Sequence, residues 1–157
     1  MNLKVFAIFS LLLFLLAGNI CSQDERAISI TSGPASGSLV IAGGGRLSDT
    51  IIKRFIELAG GQEARIVLVP TAEGAGSYPD GAADFLKSRG AKNVIILHTG
   101  SRDTADTEAF TKPLENATGI WFGGGRQWRL VDSYGGTRSE VMFRRVLERG
   151  GVIGGSS

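Results

Sequence analysis

The sequence predicts an α/β fold: a parallel, doubly wound sheet with helices on both faces. Five short runs of consecutive apolar residues alternate with longer stretches in which apolar residues recur at helical spacing. Strands that are buried on both faces are apolar throughout, and successive parallel strands need a crossover, usually a helix, between them. Glycine or proline follows four of the five runs, as expected where buried strands end in tight turns.

The five runs predict strands at residues 39–41, 66–69, 94–97, 120–122 and 152–153. Right-handed crossovers bring the carboxyl ends of parallel strands to one edge of the sheet, where α/β proteins bind ligands. The residues that directly follow each run are therefore the first candidates for a functional site. We expect the fifth strand to form an exposed edge of the sheet.

Three helices are predicted between these strands from apolar spacing. The first is capped by Ser48 or Asp49, has apolar residues at 51, 52, 55, 56 and 59, and stops at Gly60. A shorter helix is predicted over residues 77–89, with positions 82, 85 and 86 facing inward. A weak helix over 106–116 is predicted to break or restart at Pro113.

The last helix has the clearest start signal in the chain. Thr137 and Glu140 have the spacing of a capping box, in which the threonine hydroxyl and the glutamate carboxylate each accept a backbone N–H. Residues 142, 146 and 147 supply the buried side, and Gly150 ends the helix. We expect loss of the Thr137 hydroxyl to remove a capping hydrogen bond.

The amino terminus predicts export. Lys4 precedes an apolar run over 5–17, which is shorter than the roughly 20 residues that a membrane-spanning helix needs. We assign residues 1–22 to a signal peptide and 23–37 to a flexible mature N-terminus, so that the mature protein is secreted or periplasmic. Lipid attachment at Cys21 and an uncleaved anchor are the alternatives.

Composition excludes several functional classes. The chain has 17 basic and 15 acidic residues, so it lacks the excess of positive charge that a nucleic-acid surface requires. Its one cysteine, Cys21, lies at the predicted cleavage site, which leaves no disulfide framework or thiolate chemistry. With one histidine, His98, a zinc site of ordinary ligands is not expected, and we predict neither a metal nor a cofactor.

Two glycine triplets follow predicted strands. The first, at 43–45, is compatible with a dinucleotide fingerprint, but Ser48 stands at its last glycine position, and a tight turn is the simpler interpretation. The second, at 123–125, is followed by Gln127. Its backbone N–H groups would suit an oxyanion hole and the Gln127 amide a substrate carbonyl, although a turn leading into a helix explains the same residues.

Residues 151–157 combine a short strand with a Gly-x-Ser turn. This pattern is the first half of a nucleophile elbow, in which a sharp bend pushes a serine hydroxyl clear of the sheet. Together with residues 122–130, 39–45 and 69–72, this stretch resembles the cyanophycinases, serine peptidases related to the aspartyl dipeptidases. The resemblance extends from about residue 37 to the end of the chain and implies a fold like that of the class I glutamine amidotransferases.

The resemblance also implies the roles of individual residues. Ser157 would be the nucleophile, and Gly124 and Gly125 would line the oxyanion hole. Gln127 matches a glutamine that the family uses in its site. Arg126 stands where the family often has a smaller or acidic residue, and we assign it with Gln127 to substrate binding.

In the family the catalytic histidine and its acidic partner follow the nucleophile. We therefore expect residues 38–157 to be the N-terminal part of a hydrolase domain, truncated after the fifth strand and inactive alone. The intact enzyme would cleave amide bonds at aspartyl units, as in cyanophycin, and a homodimer is expected. His98 as a base and Glu73 in the pocket are further hypotheses. The rival interpretation is a non-catalytic α/β binding module or pseudoenzyme that ends at Ser157.

Overall fold

A computed structural model describes residues 33–74 and 76–157 and contains a five-stranded sheet. The strands are β1 Ser38–Ala42, β2 Arg65–Val69, β3 Asn93–Ile96, β4 Gly119–Phe122 and β5 Val152–Ser156. All five predicted strands are therefore present, and β5 continues through the residues that we expected to form a turn. The predicted signal peptide and residues 23–32 of the predicted tail lie outside the described residues.

Helices connect the strands. The α-helices are α1 Asp49–Leu58, α2 Asp84–Lys87, α3 Arg102–Ala105, α4 Glu108–Glu115, α5 Trp128–Tyr134 and α6 Arg138–Glu148. Single 3₁₀ turns lie at Gly61–Glu63, Thr71–Glu73 and Asp80–Ala83. Within the described ranges, no helix has both the length and the apolar content that a membrane span requires.

Every strand pair is parallel, and the strands lie in the order β1-β5-β4-β2-β3. Gly155 of β5 is in register with Ile41 of β1 on one side and with Phe122 of β4 on the other. The expectation that β5 is an edge strand is therefore wrong, because β1 pairs with its outer side. This order brings the carboxyl ends of β1, β5 and β4 side by side.

The sheet has an apolar core on each of its two faces. Successive residues of β2 point to opposite faces and so contribute to both cores. Ile66 and Leu68 pack with Phe55 of α1 on one face, and Val67 and Val69 pack with Val146 of α6 on the other. On the α1 face, glycines in the strands make room for aromatic rings. A β-carbon on Gly154 would lie 2.6 Å from the Trp121 ring and 2.8 Å from Phe55.

Coverage of the sheet changes at β1. Leu39 and Ile41 point to the same face of that strand and are 46% and 87% exposed. Ile153, which is in register with Leu39, is only partly buried against the core of that face. The described helices therefore cover the middle of the sheet more fully than its β1 end.

The helix predicted over 77–89 is shorter in the structure. Pro79 has an extended backbone (φ −71°, ψ 159°), so helical structure begins only after it, as a 3₁₀ turn that leads into α2. Leu86 is buried as predicted, Phe85 packs partly against the core, and Ala83 is more deeply buried than the expected Ala82.

The break predicted at Pro113 is displaced to residues 106–107. There the Thr107 hydroxyl accepts the Phe110 N–H at 3.2 Å and starts α4 as a separate helix from α3. Pro113 lies inside α4, near its end, where a missing N–H removes only one bond of the helix ladder.

The capping box predicted at α6 does not form. The Thr137 hydroxyl donates to the Tyr134 carbonyl at 2.7 Å, and Glu140 accepts the N–H of Gly136 at 2.7 Å rather than that of Thr137. Asp106, at the end of α3, accepts the first helical N–H, that of Arg138, at 2.6 Å. A carboxylate distant in sequence therefore caps this helix.

Candidate active site

Ser157 follows β5 at the carboxyl edge of the sheet and is exposed. Its φ of 59° makes it the one non-glycine residue with a positive φ among those that the structure describes. Non-glycine residues in this region are uncommon and are concentrated at functional sites. The Ser157 N–H donates to the Ala42 carbonyl at 3.2 Å, so the end of β1 holds the bend.

Glycines on both sides leave space around this serine. A β-carbon on Gly124 would lie 3.0 Å from the Ser157 β-carbon and 3.1 Å from the Ser156 carbonyl oxygen. On the other side, a β-carbon on Gly44 would lie 3.9 Å from the Ser157 Oγ. The turn after β4 therefore packs against the serine backbone, and the turn after β1 faces its hydroxyl.

The turn at residues 123–126 is closed by hydrogen bonds to the strand and turn beside it. The Gly123 N–H donates to Val69 O at 3.0 Å, and the Arg126 N–H donates to Ala72 O at 2.8 Å. Between these two anchors, the N–H groups of Gly124 and Gly125 donate to no atom in the described part of the chain. The turn thus offers two successive uncommitted donors beside Ser157.

Gly125 allows the turn after β4 to approach the turn after β2, which contains Ala72. Its φ is 136°, and a β-carbon there would lie 2.4 Å from the Ala72 carbonyl oxygen. Arg129 of α5 then holds that carbonyl in place, because its Nη1 donates to Ala72 O at 3.0 Å and to Glu73 O at 2.6 Å. The position of the free amides therefore depends on a side chain that the sequence analysis did not identify.

A cavity of about 300 Å³ adjoins the serine on the face of Leu39 and Ile41. Gln127, Leu130 and Ser157 line it. The Gln127 carboxamide forms no hydrogen bond to any residue that the structure describes, so it is available to a bound molecule. The structure thus brings Gln127 and Ser157 to the same cavity.

Arg126, the other residue assigned to substrate binding, does not line this cavity. Its guanidinium stacks over the exposed Trp128 ring, 5.0 Å from the centroid, in the geometry of a cation–π pair. The cation lies beside the turn that carries the free amides, but it is not among the residues that line the cavity with Gln127.

A second cavity, of about 180 Å³, lies on the opposite face of the same turn. Its lining includes Glu73, Gly123, Gly124, Ser156 and the apolar ring of Trp121. The Glu73 Oε1 lies 3.2 Å from the position of a β-carbon on Gly123. Glu73 is therefore exposed and close to the turn, but it lines this second cavity and not the one that Gln127 and Ser157 share. In the described part of the chain, no three His, Cys, Asp or Glu side chains converge as metal ligands.

His98 lies too far along the edge to act on Ser157. It follows β3, and β2 and β4 separate β3 from β5, so three strand spacings, about 14 Å, lie between them. Its Nδ1 is 2.8 Å from the Thr71 hydroxyl, and its ring packs edge-on against Tyr78 at 4.8 Å. His98 is therefore not placed to be the base for Ser157.

Thr71 is the centre of a buried hydrogen-bond network that the sequence analysis missed. Its hydroxyl lies 2.6 Å from the Tyr134 hydroxyl, which accepts the Thr99 N–H at 3.3 Å. Burial raises the pKa of Tyr134, so the phenol stays neutral. The Thr71 hydroxyl thus lies within hydrogen-bond distance of both the Tyr134 hydroxyl and the His98 ring. The partners are distant in sequence, and the only local signal is the Pro-Thr-Ala turn after β2.

Comparison with known proteins identifies the family. A model of Peptidase family S51 matches residues 39–157, which include every candidate site residue. The chain belongs to peptidase family S51. It is 33% identical over 112 residues to a protein named cyanophycinase from Synechococcus elongatus, over 68% of this chain and 34% of that protein. The resemblance to the cyanophycinases is thus confirmed, and the chain spans about a third of the length of this relative.

Solved structures of two peptidases share the fold. A peptidase from an acI-B1 actinobacterium superposes with a TM-score of 0.59 at 26% identity, over 78% of this chain and 54% of that one. A putative peptidase E from Listeria monocytogenes gives 0.56 at 19% identity, over 78% and 59%, and shows the fold alone. The predicted α/β fold of the class I glutamine amidotransferase type is confirmed.

Proposed function

We propose that this chain carries the nucleophile and the oxyanion-binding amides of an exported serine peptidase of the cyanophycinase type. The observation that supports it best is the left-handed bend at Ser157, with the uncommitted N–H groups of Gly124 and Gly125 in the adjoining turn. A serine with a left-handed backbone after a strand is what the first half of a nucleophile elbow requires. Free amides beside it match what an oxyanion hole requires.

In the proposed reaction, the Ser157 Oγ attacks the carbonyl carbon of an amide. The carbonyl oxygen becomes negatively charged and accepts hydrogen bonds from Gly124 and Gly125, which are fixed in advance by Val69, Ala72 and Arg129. In a well-studied protease, loss of one such donor lowers kcat by about 10²–10³-fold. The hydroxyl proton must pass to a base, and His98 is out of reach, so we propose that the described residues are inactive on their own.

We propose an aspartyl amide as the substrate, in cyanophycin or a β-aspartyl-arginine peptide. The name of the Synechococcus relative points to this class, and two features of the site are compatible with it. The unpaired Gln127 carboxamide suits a carbonyl or carboxylate group, and the Arg126 guanidinium is a permanent cation near the proposed oxyanion turn.

The test is hydrolysis of cyanophycin and β-aspartyl-arginine by the 157-residue chain and by any longer product of the same gene. We expect cleavage only by a longer product that adds a histidine and an acidic residue, and loss of that cleavage in Ser157→Ala. If Ser157→Ala leaves hydrolysis unchanged, Ser157 is not the nucleophile. If the gene yields no longer product and the chain cleaves neither substrate, the result favours the rival interpretation, a non-catalytic binding module or pseudoenzyme.

Export and dimerisation also stay predictions. We expect the mature chain to begin near Ser22 or Gln23, which N-terminal sequencing of secreted protein would establish. A mature chain that keeps Met1, or carries lipid on Cys21, would contradict this assignment. Sedimentation of the purified chain would decide whether it forms the expected homodimer.

A further inference from the structure

The turn after β2 brings one carboxylate to the candidate active site. The backbone of Glu73 is fixed at both ends, because its N–H donates to Pro70 O at 2.9 Å and its carbonyl accepts Arg129 Nη1 at 2.6 Å. Its side chain extends to the turn after β4, where the Oε1 lies 3.2 Å from the position of a β-carbon on Gly123. The glycine at residue 123 therefore leaves room for this carboxylate against the turn.

The Glu73 carboxylate forms no ion pair and accepts no hydrogen bond within the described part of the chain. The ion pairs there join other residues. The Arg129 guanidinium is engaged with the backbone carbonyls of residues 72 and 73, and that of Arg126 lies over the Trp128 ring. The carboxylate is therefore held in position by its backbone while its charge stays available to a bound molecule.

The second cavity, of about 180 Å³, combines this charge with apolar surface. Glu73 is the one charged residue among the described residues that line it, and Leu68, Phe85 and Trp121 are among the others. A long basic side chain has the same two parts, an apolar stem and a cationic end. The lining of this cavity therefore suits a lysine-like or arginine-like side chain better than a neutral or acidic one.

This cavity and the cavity at Ser157 lie on either side of the turn after β4. Gly123 and Ser156 line both of them. A peptide whose carbonyl group accepts the free N–H of Gly124 can therefore extend one side chain into each cavity. The carboxylate is thus placed to contact a part of the substrate that is close to the reacting carbonyl but is not the reacting carbonyl itself.

The proposed oxyanion gives the charge of this side chain a further consequence. Negative charge would develop on the substrate carbonyl oxygen at the N–H groups of Gly124 and Gly125. A carboxylate without a partner, placed against the neighbouring Gly123, repels that negative charge. A cation bound to Glu73 offsets the repulsion, so a basic side chain favours the reaction as well as binding.

We propose that Glu73 is a specificity-determining residue, whose carboxylate binds the guanidinium or ammonium end of a basic substrate side chain. This inference rests on the proposed function and extends it, because it assigns the residue that selects the charge of the substrate. The carboxylate is exposed, so the preference for a basic over a neutral side chain is about two- to fivefold in Kd. Added salt should weaken it.

The test is titration of the 157-residue chain with β-aspartyl-arginine and with β-aspartyl-citrulline, followed by NMR at the amides of Gly123 and Ser156. Citrulline matches the shape of arginine but carries a neutral urea group. We expect saturable shifts with both peptides and a Kd about two- to fivefold lower for the arginine peptide. Glu73→Gln should make the two Kd values equal, and Glu73→Asp should keep part of the difference.

Glu63→Gln is the matched control. It removes the same charge from another exposed glutamate, which precedes β2 and so lies at the amino edge of the sheet. The preference for the arginine peptide should not change in this variant. Equal Kd values in the parent, a preference that persists in Glu73→Gln, or binding of neither peptide would overturn the inference.

The outcomes separate this inference from the proposed function, because binding is measured without hydrolysis. If Ser157→Ala leaves hydrolysis unchanged in a longer product, the proposed nucleophile is wrong, but a charge preference that is lost in Glu73→Gln still stands. If Ser157→Ala abolishes hydrolysis and Glu73→Gln keeps the charge preference, only the role of Glu73 is wrong.

Discussion

Two groups of turns at the same sheet edge differ in how they treat their polar groups. In the turns after β2 and β3, Thr71 and His98 form a hydrogen-bond network with Tyr134 of α5. After β4 and β5, Gly124 and Gly125 keep free N–H groups, and Ser157 has a left-handed backbone. Buried polar groups are usually hydrogen-bonded, whereas Gly124 is half-buried and Gly125 is exposed, so their N–H groups stay open to a bound molecule. We therefore propose that the chemistry occurs on the β4–β5 side, with the β2–β3 side as its support.

The largest expected loss of stability comes from adding a side chain at Gly125, where the turn after β4 meets the turn after β2. Gly125→Ala would set a methyl group 2.4 Å from Ala72 O, at a φ of 136°. We expect an overpacking loss of about 1–3 kcal/mol in addition to the cost of the positive φ, about 1–2 kcal/mol. Chemical denaturation would measure both.

Gly150→Ala is the matched control for that measurement. Gly150 also has a positive φ, 93°, but a β-carbon there would meet nothing within 4 Å. It should lose only the conformational part, about 1–2 kcal/mol. Equal losses in the two variants would show that the turns do not approach as described.

A smaller loss of stability is expected from breaking the hydrogen-bond network around Thr71. Thr71→Val keeps the shape of the side chain but leaves the buried Tyr134 hydroxyl without its hydrogen-bond partner at residue 71, which costs about 1–3 kcal/mol in unfolding free energy. Thr71→Ser keeps the hydroxyl and should lose less. In a product that hydrolyses the substrate, Thr71→Val should change kcat less than Ser157→Ala does; a comparable loss would mean that the network belongs to the catalytic apparatus.

Features that depend on neighbouring residues could be predicted from the sequence, whereas features that depend on distant partners could not. Runs of consecutive apolar residues depend on local burial, so all five strands were predicted to within a few residues. The alignment of strand ends at one edge also brought Ser157 and Gly124 together as expected. Hydrogen-bond partners depend on tertiary structure instead: Thr71 meets Tyr134 from 63 residues away, and Asp106 caps Arg138 from 32 residues away.

Arg129 links the turn after β2 to α5, and we expect this contact to contribute less to global stability than to the local order of the turn after β4. Arg129→Ala removes two hydrogen bonds to the carbonyls of Ala72 and Glu73, at a half-exposed site, for about 1 kcal/mol. Hydrogen exchange of the Arg126 amide, which donates to Ala72, should accelerate relative to that of Val67 in the core. Arg54→Ala, on an exposed face of α1, is the control and should change neither amide. Equal acceleration at residues 126 and 67 would indicate global destabilisation instead.

The smallest effect concerns Glu140, whose hydrogen bonds lie at the exposed start of α6. The Gly136 N–H and then Arg144 lower the pKa of this carboxyl below its ordinary value. A carboxyl whose folded pKa is lowered stabilises the protein fully above its unfolded pKa, and this contribution is lost as the pH falls through the folded pKa. Glu140→Gln should therefore reduce stability slightly near neutral pH and less in acid. Urea unfolding of both proteins between about pH 7 and about pH 3 would measure the difference. If the gap between them widens on acidification, the Gly136 contact does not favour the ionised carboxylate, and the start of α6 is held by Asp106 alone.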